Sequence, residues 1–275
     1  MTRAYDGPRP DIGVIGGSGL YAFLESADEV TVETPWGPPS GDITIGAVAG
    51  RHVAFLPRHG RDHRFPPHRV NYRANIWALR SLGVRQIMAP CAVGSLRPEN
   101  DAGTIVVPDQ LVDRTRGRLD TFYDEPGHVV HVGFADPYCP KGRASAVDVG
   151  KARQLPLVDG GTLVVVNGPR FSTRAESLWH QSQGWAIVGM TASPEAALAR
   201  ELALCYTNIA LVTDLDAGLE HGKGVTQEQV LKAFAGNIDI VRSLLIDVIS
   251  RLPAADADCT CRHAVDGLSL PFVLP

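Results

Sequence analysis

Two carboxylates follow an apolar stretch late in the chain, and they are the residues best suited to move a proton. Residues 208–214 are typical of a buried strand, and Asp214 and Asp216 stand at its end. Side chains two residues apart can face one loop cavity, where burial and mutual repulsion raise the pKa of at least one carboxyl. A carboxyl with a raised pKa can donate a proton near neutral pH, as a departing heterocycle requires. The alternative is that both residues only cap a helix or a turn.

Two earlier strand ends carry groups that suit an anion. Arg58 and His59 directly follow an apolar strand, and Arg can bind an oxyanion through two bonds while His adds a donor. The glycine turn at 15–20 lets backbone N–H groups crowd around an anion, and Ser18 adds a hydroxyl. The turn also fits a dinucleotide fingerprint, but too few residues precede the next strand for the helix that fingerprint needs. A tight structural turn and a charged surface loop stay open as alternatives.

Two further strand ends add groups that suit a planar base and a sugar. Phe171 can stack on a base, and Ser172 follows it at the start of a helical pattern. Met190 and Thr191 bring a thioether and a hydroxyl to the same edge of the predicted sheet. Each residue has an ordinary structural interpretation as core or helix cap. Together, an anion cradle, a stacking group and proton carriers are the parts of a phosphate-dependent glycosyl transfer.

The elements that position these residues alternate between short apolar runs and helical patterns. This alternation predicts an α/β fold, with one mixed central sheet flanked by helices. The predicted strands cover 11–17, a hairpin at 42–57, 85–90, 104–110, 162–168, 186–190 and 208–214, and the last long helix covers about 226–251. We expect one domain over residues 1–252 and a tail at 253–275 that packs on it.

Composition excludes several classes of protein. The chain has 275 residues, of which 44% are hydrophobic and 20% charged, as in an ordinary globular fold. The net charge is −4 and there is no long basic block, so we expect no nucleic-acid partner. No apolar run approaches the roughly 20 residues of a membrane-spanning helix. The N-terminus lacks the apolar stretch of a secretory signal, which predicts a cytoplasmic protein without a membrane partner.

Nine segments in a fixed order carry a resemblance to a known family. They are IGGSGL, FLPRHGRDH, VNYRANIWAL, AVGSL, VVPDQLVDRT, FADPYCP, NGPRFSTRAES, GMTASPEAALARE and TDLD, and with the helix that follows they reach from residue 12 to about 245. With them the chain resembles the methylthioadenosine phosphorylases and the trimeric purine nucleoside phosphorylases of the same fold. The resemblance implies a nucleoside phosphorylase-like fold. It also implies phosphorolysis of S-methyl-5'-thioadenosine to adenine and 5-(methylthio)ribose 1-phosphate.

Several alternatives stay open beside that expectation. The nearest is the same reaction on inosine, guanosine or adenosine, although TDLD looks more like the adenine-recognising branch of the family. Two alternatives from other classes are a dinucleotide-dependent oxidoreductase and a non-catalytic purine-binding protein. The resemblance implies no cofactor, since phosphate is a co-substrate. It also implies a homotrimer or a dimer of trimers.

The resemblance assigns roles to individual residues. The residues that it places at phosphate are Ser18, Arg58, His59, Cys91, Ala92 and Thr191. Cys91 and Ala92 would contact phosphate through their main chain. Those that it places at the nucleoside are Phe171, Ser172, Met190, Asp214, Asp216, His131 and Gln227. Among these, Asp214 and Asp216 hold the purine N7 and exocyclic amine, and His131 comes from a neighbouring subunit.

Three positions depart from the family's pattern. Cys91 and Ser18 stand where relatives often have threonine, and of the two only Ser18 keeps a hydroxyl. Gln227 lies near the 5′ substituent, where methylthioadenosine-specific relatives tend to have an apolar residue. A polar group there favours a 5′-hydroxyl or a small polar or halogen substituent, so the 5′ specificity stays open.

The chain has five cysteines, and the tail holds Cys259 and Cys261 close to His263. No Cys or His close by in sequence offers the fourth ligand of a zinc site, and residues 58–68 lack clean ligand spacing, so we expect no metal. A disulfide between the two cysteines of Cys-x-Cys would close a strained ring, so we expect both thiols to stay reduced in a cytosol. Some heat-stable relatives carry a similar Cys-x-Cys, which leaves a redox or folding role open. Otherwise the two are reduced thiols in a tail whose apolar end packs on the body or on a neighbouring subunit.

Overall fold

The computed structural model describes residues 5–17, 20, 24–216, 224–254 and 258–275. These residues form an eleven-stranded sheet with helices on both faces, which confirms the predicted α/β class. The strands are β1 Ile12–Gly16, β2 Glu25–Val30, β3 Ile43–Val48, β4 Arg51–Pro57, β5 Gln86–Ser95, β6 Ile105–Val107, β7 Gln110–Arg114, β8 Leu157–Asp159, β9 Thr162–Val166, β10 Ile187–Gly189 and β11 Cys205–Leu215. The helices are α1 Tyr72–Ser81, α2 Pro140–Ala152, α3 Arg174–Ser182, α4 Ala192–Glu201 and α5 Gln227–Arg251, with short 3-10 helices at Pro67–Arg69 and Thr260–His263.

Strand β5 is the centre of the sheet. The main strand order is β2-β3-β4-β1-β5-β10-β9-β7, and β11 pairs along the whole length of β5 and continues the sheet to β6 and β8. Strands β1 and β11 run parallel to β5, and β4 runs parallel to β1. Strand β10, in contrast, runs antiparallel to β5. Two sets of strands with opposite directions therefore meet along β5.

The apolar core lies on both faces of this sheet. Neighbouring residues of a strand point to opposite faces, and Val14 and Ile15 accordingly belong to different clusters of buried side chains. The cluster around Ile15 includes side chains of α1 and α4, and the cluster around Val14 includes side chains of α2 and α5. In the part of the chain that is described, no helix is long and apolar enough to cross a membrane.

Helix starts follow the cap signals in the sequence. Thr173 and Thr226 each form a capping box with the residue three positions on, which satisfies two N-terminal backbone donors at once. The assigned helix α4 begins at Ala192, but Ser193 is extended, with φ −112° and ψ 133°, so regular turns begin at Pro194 as its sequence position predicts.

Some short elements differ from the sequence expectation. The next strand-like piece after the glycine turn was expected at 30–34, but strand β2 covers Glu25–Val30 and so leaves still less room for a dinucleotide-binding helix. Strands β7 and β8 and helix α2 were not expected from the sequence. Strand β8 has only three residues, too few for a period-2 pattern to be distinguished from a loop.

Candidate active site

The candidate site lies at an opening in the sheet beside the middle of β5. On one side of β5, β1 pairs with Gln86–Met88 and β10 pairs with Gly94 and Ser95, and no described strand lies between them. Because β10 is antiparallel to β5, the C-terminal ends of β1 and β10 point towards each other across this opening. The sequence argument expected all these strand ends at one edge of the sheet, and that arrangement was wrong.

Continuing the two strand registers identifies what meets there. Two residues past the last β1 pair, Gly16 comes level with Pro90, and three residues past the last β10 pair, Thr191 comes level with Cys91. Cys91 and Ala92 are also the two positions of β5 that keep some exposure in a strand whose other residues are buried. The opening therefore exposes the backbone at Cys91 and Ala92, where the sequence analysis expects phosphate.

Arg58 connects the strands on the side of the opening where the sequence analysis expects phosphate. Its side chain is 2% exposed and forms a two-bond ion pair with Glu195, at 2.8 and 2.9 Å. It also donates to the carbonyl oxygens of Pro90 and Ile15, both at 3.0 Å. Four of the five guanidinium N–H groups are thus used within the protein. Arg58 therefore fixes the positions of β1, β4, β5 and α4 relative to one another, and it leaves one N–H of the guanidinium for a ligand while its charge is paired with Glu195.

His59 is a neutral side chain in this setting. Its Nδ1 lies 2.8 Å from the carbonyl oxygen of Phe65, and because a carbonyl only accepts, Nδ1 carries the proton. Burial first, and then the charge of Arg58, lower the pKa of His59 to about 4. At neutral pH Nε2 therefore accepts a hydrogen bond. We expected His59 to donate to an oxyanion, and the neutral ring instead suits the hydroxyl of a monohydrogen phosphate.

Cys91 is a neutral thiol, and its side chain packs against the amide of Asn208. Its Sγ lies 3.4 Å from Asn208 Nδ2 and 3.5 Å from Asn208 Oδ1. Burial raises the pKa of the thiol. The side chain therefore adds no hydroxyl, and any contact with phosphate falls to the main chain, as the sequence analysis expected.

Thr191 and Met190 reach the opening from the β10 side. Thr191 is 8% exposed, and within the described residues its side chain makes no capping bond to α4. The sulfur of Met190 lies close to Gly168, where a Cβ would be only 2.6 Å away. Arg118 donates to the carbonyl oxygens of Met190 and Asn167, both at 2.9 Å, and so joins the loops that follow β10 and β9.

A β-bulge sets the direction of Asp214. Val212 pairs with Val93 and Asp214 with Gly94, so Thr213 is an extra residue in β11. Val93 and Gly94 are consecutive and face opposite sides of the sheet, so Val212 and Asp214 do as well. Without the bulge, Asp214 would lie on the same face as Val212. The bulge therefore places the carboxylate against Gly94, where a Cβ would lie 3.0 Å from Oδ1.

Asp214 has the raised pKa that the sequence analysis expected. Burial is the main cause, the charge of Asp216 adds to it, and a hydrogen bond from Thr213 Oγ1 at 2.7 Å opposes it; the pKa reaches about 6. A carboxyl of this kind is partly protonated near neutral pH and can deliver a proton to a base.

Asp216 is held more firmly than Asp214. It is 4% exposed, its Oδ2 accepts a hydrogen bond from Ser177 Oγ at 2.5 Å, and its backbone N–H donates to Ser95 at 2.9 Å. A Cβ on Gly94 would lie 3.2 Å from the Asp216 Cβ, so the two carboxylates share one small region. Ser177 fixes one oxygen of Asp216 and so orients the other.

Ser172 carries an unsatisfied hydroxyl on the approach to α3. Its Oγ is buried and has no hydrogen-bond partner among the described residues. Phe171, beside it, is half-buried rather than packed in the core. An unpaired buried hydroxyl beside a partly exposed ring is the arrangement expected of a binding surface, because such groups are usually paired elsewhere.

Three expected site residues are not joined to this cluster. Ser18 lies outside the described residues. His131 is exposed on the long segment before α2, whose carbonyl oxygens at Gly133 and Asp136 are bound by Arg200. Gln227 is exposed at the first position of α5. Among the described residues of one chain, neither His131 nor Gln227 forms a hydrogen bond or an ion pair with a residue at the opening.

Sequence reasoning missed three residues that shape the site. Glu195 carries only the local signal of an acidic residue in the first turn of a helix, yet it is fully buried and also accepts a hydrogen bond from Tyr206 at 2.8 Å. Ser177 and Arg118 carry no local signal, because their partners are far away in sequence. A glutamate in the first turn of an apolar helix was the one sign available, because buried acids are rare unless paired.

The guanidinium of Arg58 and the carboxyl of Asp214, with its raised pKa, thus lie beside the same central strand, and the thioether of Met190 lies on the loop that follows β10. This arrangement suits an enzyme that transfers a group to phosphate. The chain belongs to the Phosphorylase superfamily, whose sequence profile matches residues 11–250.

Individual relatives cover almost the whole chain. It is 59% identical to the purine nucleoside phosphorylase of Streptomyces coelicolor, with 97% of this chain and 98% of that one aligned. It is 57% identical to the S-methyl-5'-thioadenosine phosphorylase of Mycolicibacterium smegmatis, with 96% and 99% aligned. A methylthioadenosine phosphorylase from an antarctic soil metagenomic library has a similar structure, with a TM-score of 0.86, 39% identity and coverage of 93% and 90%.

Proposed function

We propose that this protein catalyses the phosphorolysis of S-methyl-5'-thioadenosine to adenine and 5-(methylthio)ribose 1-phosphate. The observation that carries the proposal is Asp214, a carboxyl with a pKa of about 6 held against Gly94 beside an anion pocket. The two relatives' names, purine nucleoside phosphorylase and S-methyl-5'-thioadenosine phosphorylase, support the same chemistry.

In the proposed reaction, the bond between the purine and the sugar breaks before the new bond is complete. The electron pair stays with the purine, and Asp214 donates its proton to N7, so that the base leaves neutral. A phosphate oxygen attacks the opposite face of the oxocarbenium-like sugar and forms the new C–O bond. The protein acts by positioning and electrostatics, since both reacting groups sit in one fixed opening.

Phosphate binding is proposed to combine one charge with several neutral donors. Arg58 supplies the one remaining N–H of its charged guanidinium, and Thr191 supplies a hydroxyl. Main-chain N–H groups at Cys91 and Ala92 complete the pocket, with Ser18 as a further expected contact. His59 Nε2 accepts the hydrogen bond of the phosphate hydroxyl and so orients the phosphate, while the proton stays on the phosphate as the monoester forms.

Base recognition is proposed to favour adenine. A carboxylate accepts hydrogen bonds, so Asp216, fixed by Ser177, suits the exocyclic amine of a 6-aminopurine. A 6-oxo group offers no donor at that position and would face a carboxylate unfavourably. Phe171 stacks on the base in this arrangement, and Ser172 Oγ finds its partner there.

A second candidate is the same reaction on a nucleoside with a 5′-hydroxyl. The 59% identical relative named purine nucleoside phosphorylase favours it, as does the polar Gln227 at the start of α5. Met190, which is expected to pack on the sugar, offers a soft thioether and favours the first candidate, S-methyl-5'-thioadenosine. The two candidates differ only in the 5′ group.

We further propose that the enzyme assembles as a homotrimer or a dimer of trimers. His131 is exposed and, among the described residues, forms no hydrogen bond or ion pair with its own site, and Val129, two residues earlier, is 79% exposed. An apolar side chain presented this fully beside an expected substrate contact supports a role for the segment at a subunit interface.

The proposal is tested by incubating the protein with S-methyl-5'-thioadenosine, adenosine and inosine in parallel, with and without phosphate. The expected result is phosphate-dependent release of adenine, fastest from S-methyl-5'-thioadenosine. Faster turnover of adenosine would favour the second candidate, and faster turnover of inosine would contradict the proposed recognition of a 6-aminopurine. Release of base without phosphate, or no release from any nucleoside, would contradict the proposed phosphorolysis.

A further inference from the structure

Four cysteines from three distant parts of the chain meet at one point. Cys139 is the N-cap of α2 and Cys205 is the first residue of β11, while Cys259 and Cys261 flank the start of the last 3-10 helix. All four are buried, and their Sγ atoms all lie within 4.8 Å of one another. The sequence argument against a metal found no fourth ligand near the tail, but the fold brings two thiols there from far away. That step of the argument was wrong.

The spacing of the sulfur atoms suits one tetrahedral ion. Zinc binds thiolate at ~2.3 Å, which puts sulfur atoms at the corners of a tetrahedron ~3.8 Å apart. Cys139 Sγ lies 3.6 Å from Cys259 Sγ, and the limit of 4.8 Å for all pairs leaves only small side-chain rotations to close the site. Among the described residues, these four cysteines are the one group of three or more His, Cys, Asp or Glu side chains that lie close enough together to share a metal ion.

The surroundings suit negatively charged sulfur. The backbone N–H of Gly142, in the first turn of α2, donates to Cys139 Sγ at 3.5 Å, and this helix end carries positive partial charge. Arg200 Nη2 lies 3.9 Å from Cys261 Sγ. Arg85 lies next to the cluster as well, since its carbonyl oxygen accepts a hydrogen bond from the Cys205 N–H at 3.0 Å. A cationic neighbourhood offsets the two net negative charges of a zinc tetrathiolate.

We propose that Cys139, Cys205, Cys259 and Cys261 bind one Zn²⁺ as a structural tetrathiolate site. Four protein ligands complete the coordination of zinc and leave no open position for water or substrate, which separates this site from metal catalysis. Binding releases the thiol protons and involves no oxidation or reduction.

The position of the cluster shows what the ion does. Cys205 begins β11 and Asp214 lies near the other end of that strand, so the two are separated by roughly 30 Å at the usual rise per residue. The zinc joins the tail to the body at α2 and β11. Beyond the site, Phe272 of the tail stacks on Tyr123 with ring centroids 5.5 Å apart. Loss of the ion should therefore lower stability and free the tail, with turnover at moderate temperature largely kept.

The test measures metal in the full-length protein, produced in zinc-supplemented medium and purified under reducing conditions without a metal-affinity column. The expected result is one zinc per chain by elemental analysis and by native mass spectrometry. Cobalt exchanged into the protein should give thiolate-to-cobalt charge transfer in the near ultraviolet and the visible bands of tetrahedral Co²⁺. Removing zinc with a chelator should lower the Tm.

Variants assign the ligands. Cys259→Ser combined with Cys261→Ser should abolish stoichiometric zinc and the cobalt bands, while Cys91→Ser, which alters the one cysteine outside the cluster, should keep both. Wild-type protein without zinc and without a cobalt spectrum would overturn the proposal whatever the variants do. Titration of thiols in that protein would then identify two disulfides, with one free thiol, or five reduced cysteines.

Discussion

The carboxylate of Asp214 lies against Gly94, with Oδ1 3.0 Å from the point that a Cβ on this glycine would occupy. The same Cβ would lie 3.2 Å from Asp216 and 3.3 Å from Val188 of β10, so the backbone of β5 is enclosed from three directions. Glycine at this position lets both carboxylates approach the centre of the sheet.

Gly94→Ala should therefore impair turnover more than stability explains. The methyl group pushes Asp214 away from its position, and a displacement of this kind costs up to about 10²-fold in kcat/KM. The matched control is Gly236→Ala in α5, where a Cβ meets nothing within 4 Å, so that activity stays unchanged and stability rises by roughly 0.5–1 kcal/mol. Wild-type kinetics for Gly94→Ala would show that the glycine does not position Asp214.

The buried pair of Arg58 and Glu195 should matter for both stability and phosphate. Glu195→Ala leaves a buried guanidinium without its partner, which costs about 3–5 kcal/mol in the free energy of unfolding. The KM for phosphate should rise as well, because Arg58 then loses its fixed position. Chemical denaturation and phosphate titration of the same variant measure the two effects.

The control for this prediction is an exposed pair. Asp239→Ala removes the partner of Arg242 at 2.9 Å on the surface of α5, where an ion pair contributes about 0–1 kcal/mol. Equal destabilisation by Asp239→Ala and Glu195→Ala would contradict the importance given to the buried pair.

The pH dependence of stability should change when Asp214 is replaced. Burial raises its folded pKa from 3.8 to about 6, so the carboxyl stabilises the fold fully below pH 3.8 and this contribution is lost as pH rises towards 6. Asp214→Asn stays neutral throughout. Its Tm relative to wild type should therefore increase between pH 4 and 7, and a constant difference across that range would show that Asp214 is not perturbed.

The contribution of His59 to stability depends on pH in the opposite direction, so the same measurement distinguishes it from the contribution of Asp214. Its folded pKa of about 4 lies below 6.5, so its neutral form stabilises the fold above pH 6.5 and this contribution is lost as pH falls towards 4. A variant such as His59→Asn should therefore gain on wild type as the pH is lowered.

Assembly should be tied to substrate affinity through His131. We expect a trimeric or hexameric mass in solution and a higher KM for the nucleoside in His131→Ala. His128→Ala is the matched control, since His128 is exposed on the same segment and no role is proposed for it. A fully active monomer after dilution, or an unchanged KM in His131→Ala, would rule out a shared site.

The sequence predicted the main strands, the long helix and the groups at most strand ends, because these depend on local periodicity and caps. It could not predict how the strands meet. The antiparallel direction of β10, which brings Thr191 level with Cys91, is a property of the sheet and leaves no trace in local sequence. The bulge at Thr213 likewise depends on pairing with Val93 and Gly94.

The cysteines show the same limit in the tail. Cys259 and Cys261 were evident as a close pair, but Cys139 lies 120 residues before Cys259, and only the packing of α2 beside β11 brings them together. Arguments from spacing find ligands that share a loop, and they miss ligands that meet through the core.

The central claim, that Asp214 protonates the departing purine, is tested most directly with two substrates that differ in their need for that proton. S-methyl-5'-thioadenosine needs protonation at N7, whereas its N7-methylated form already carries the positive charge. Asp214→Ala should lose about 10²–10⁴-fold in kcat on the first substrate and far less on the second, with phosphate binding kept. Equal losses on both substrates, or near wild-type turnover of S-methyl-5'-thioadenosine, would contradict the account.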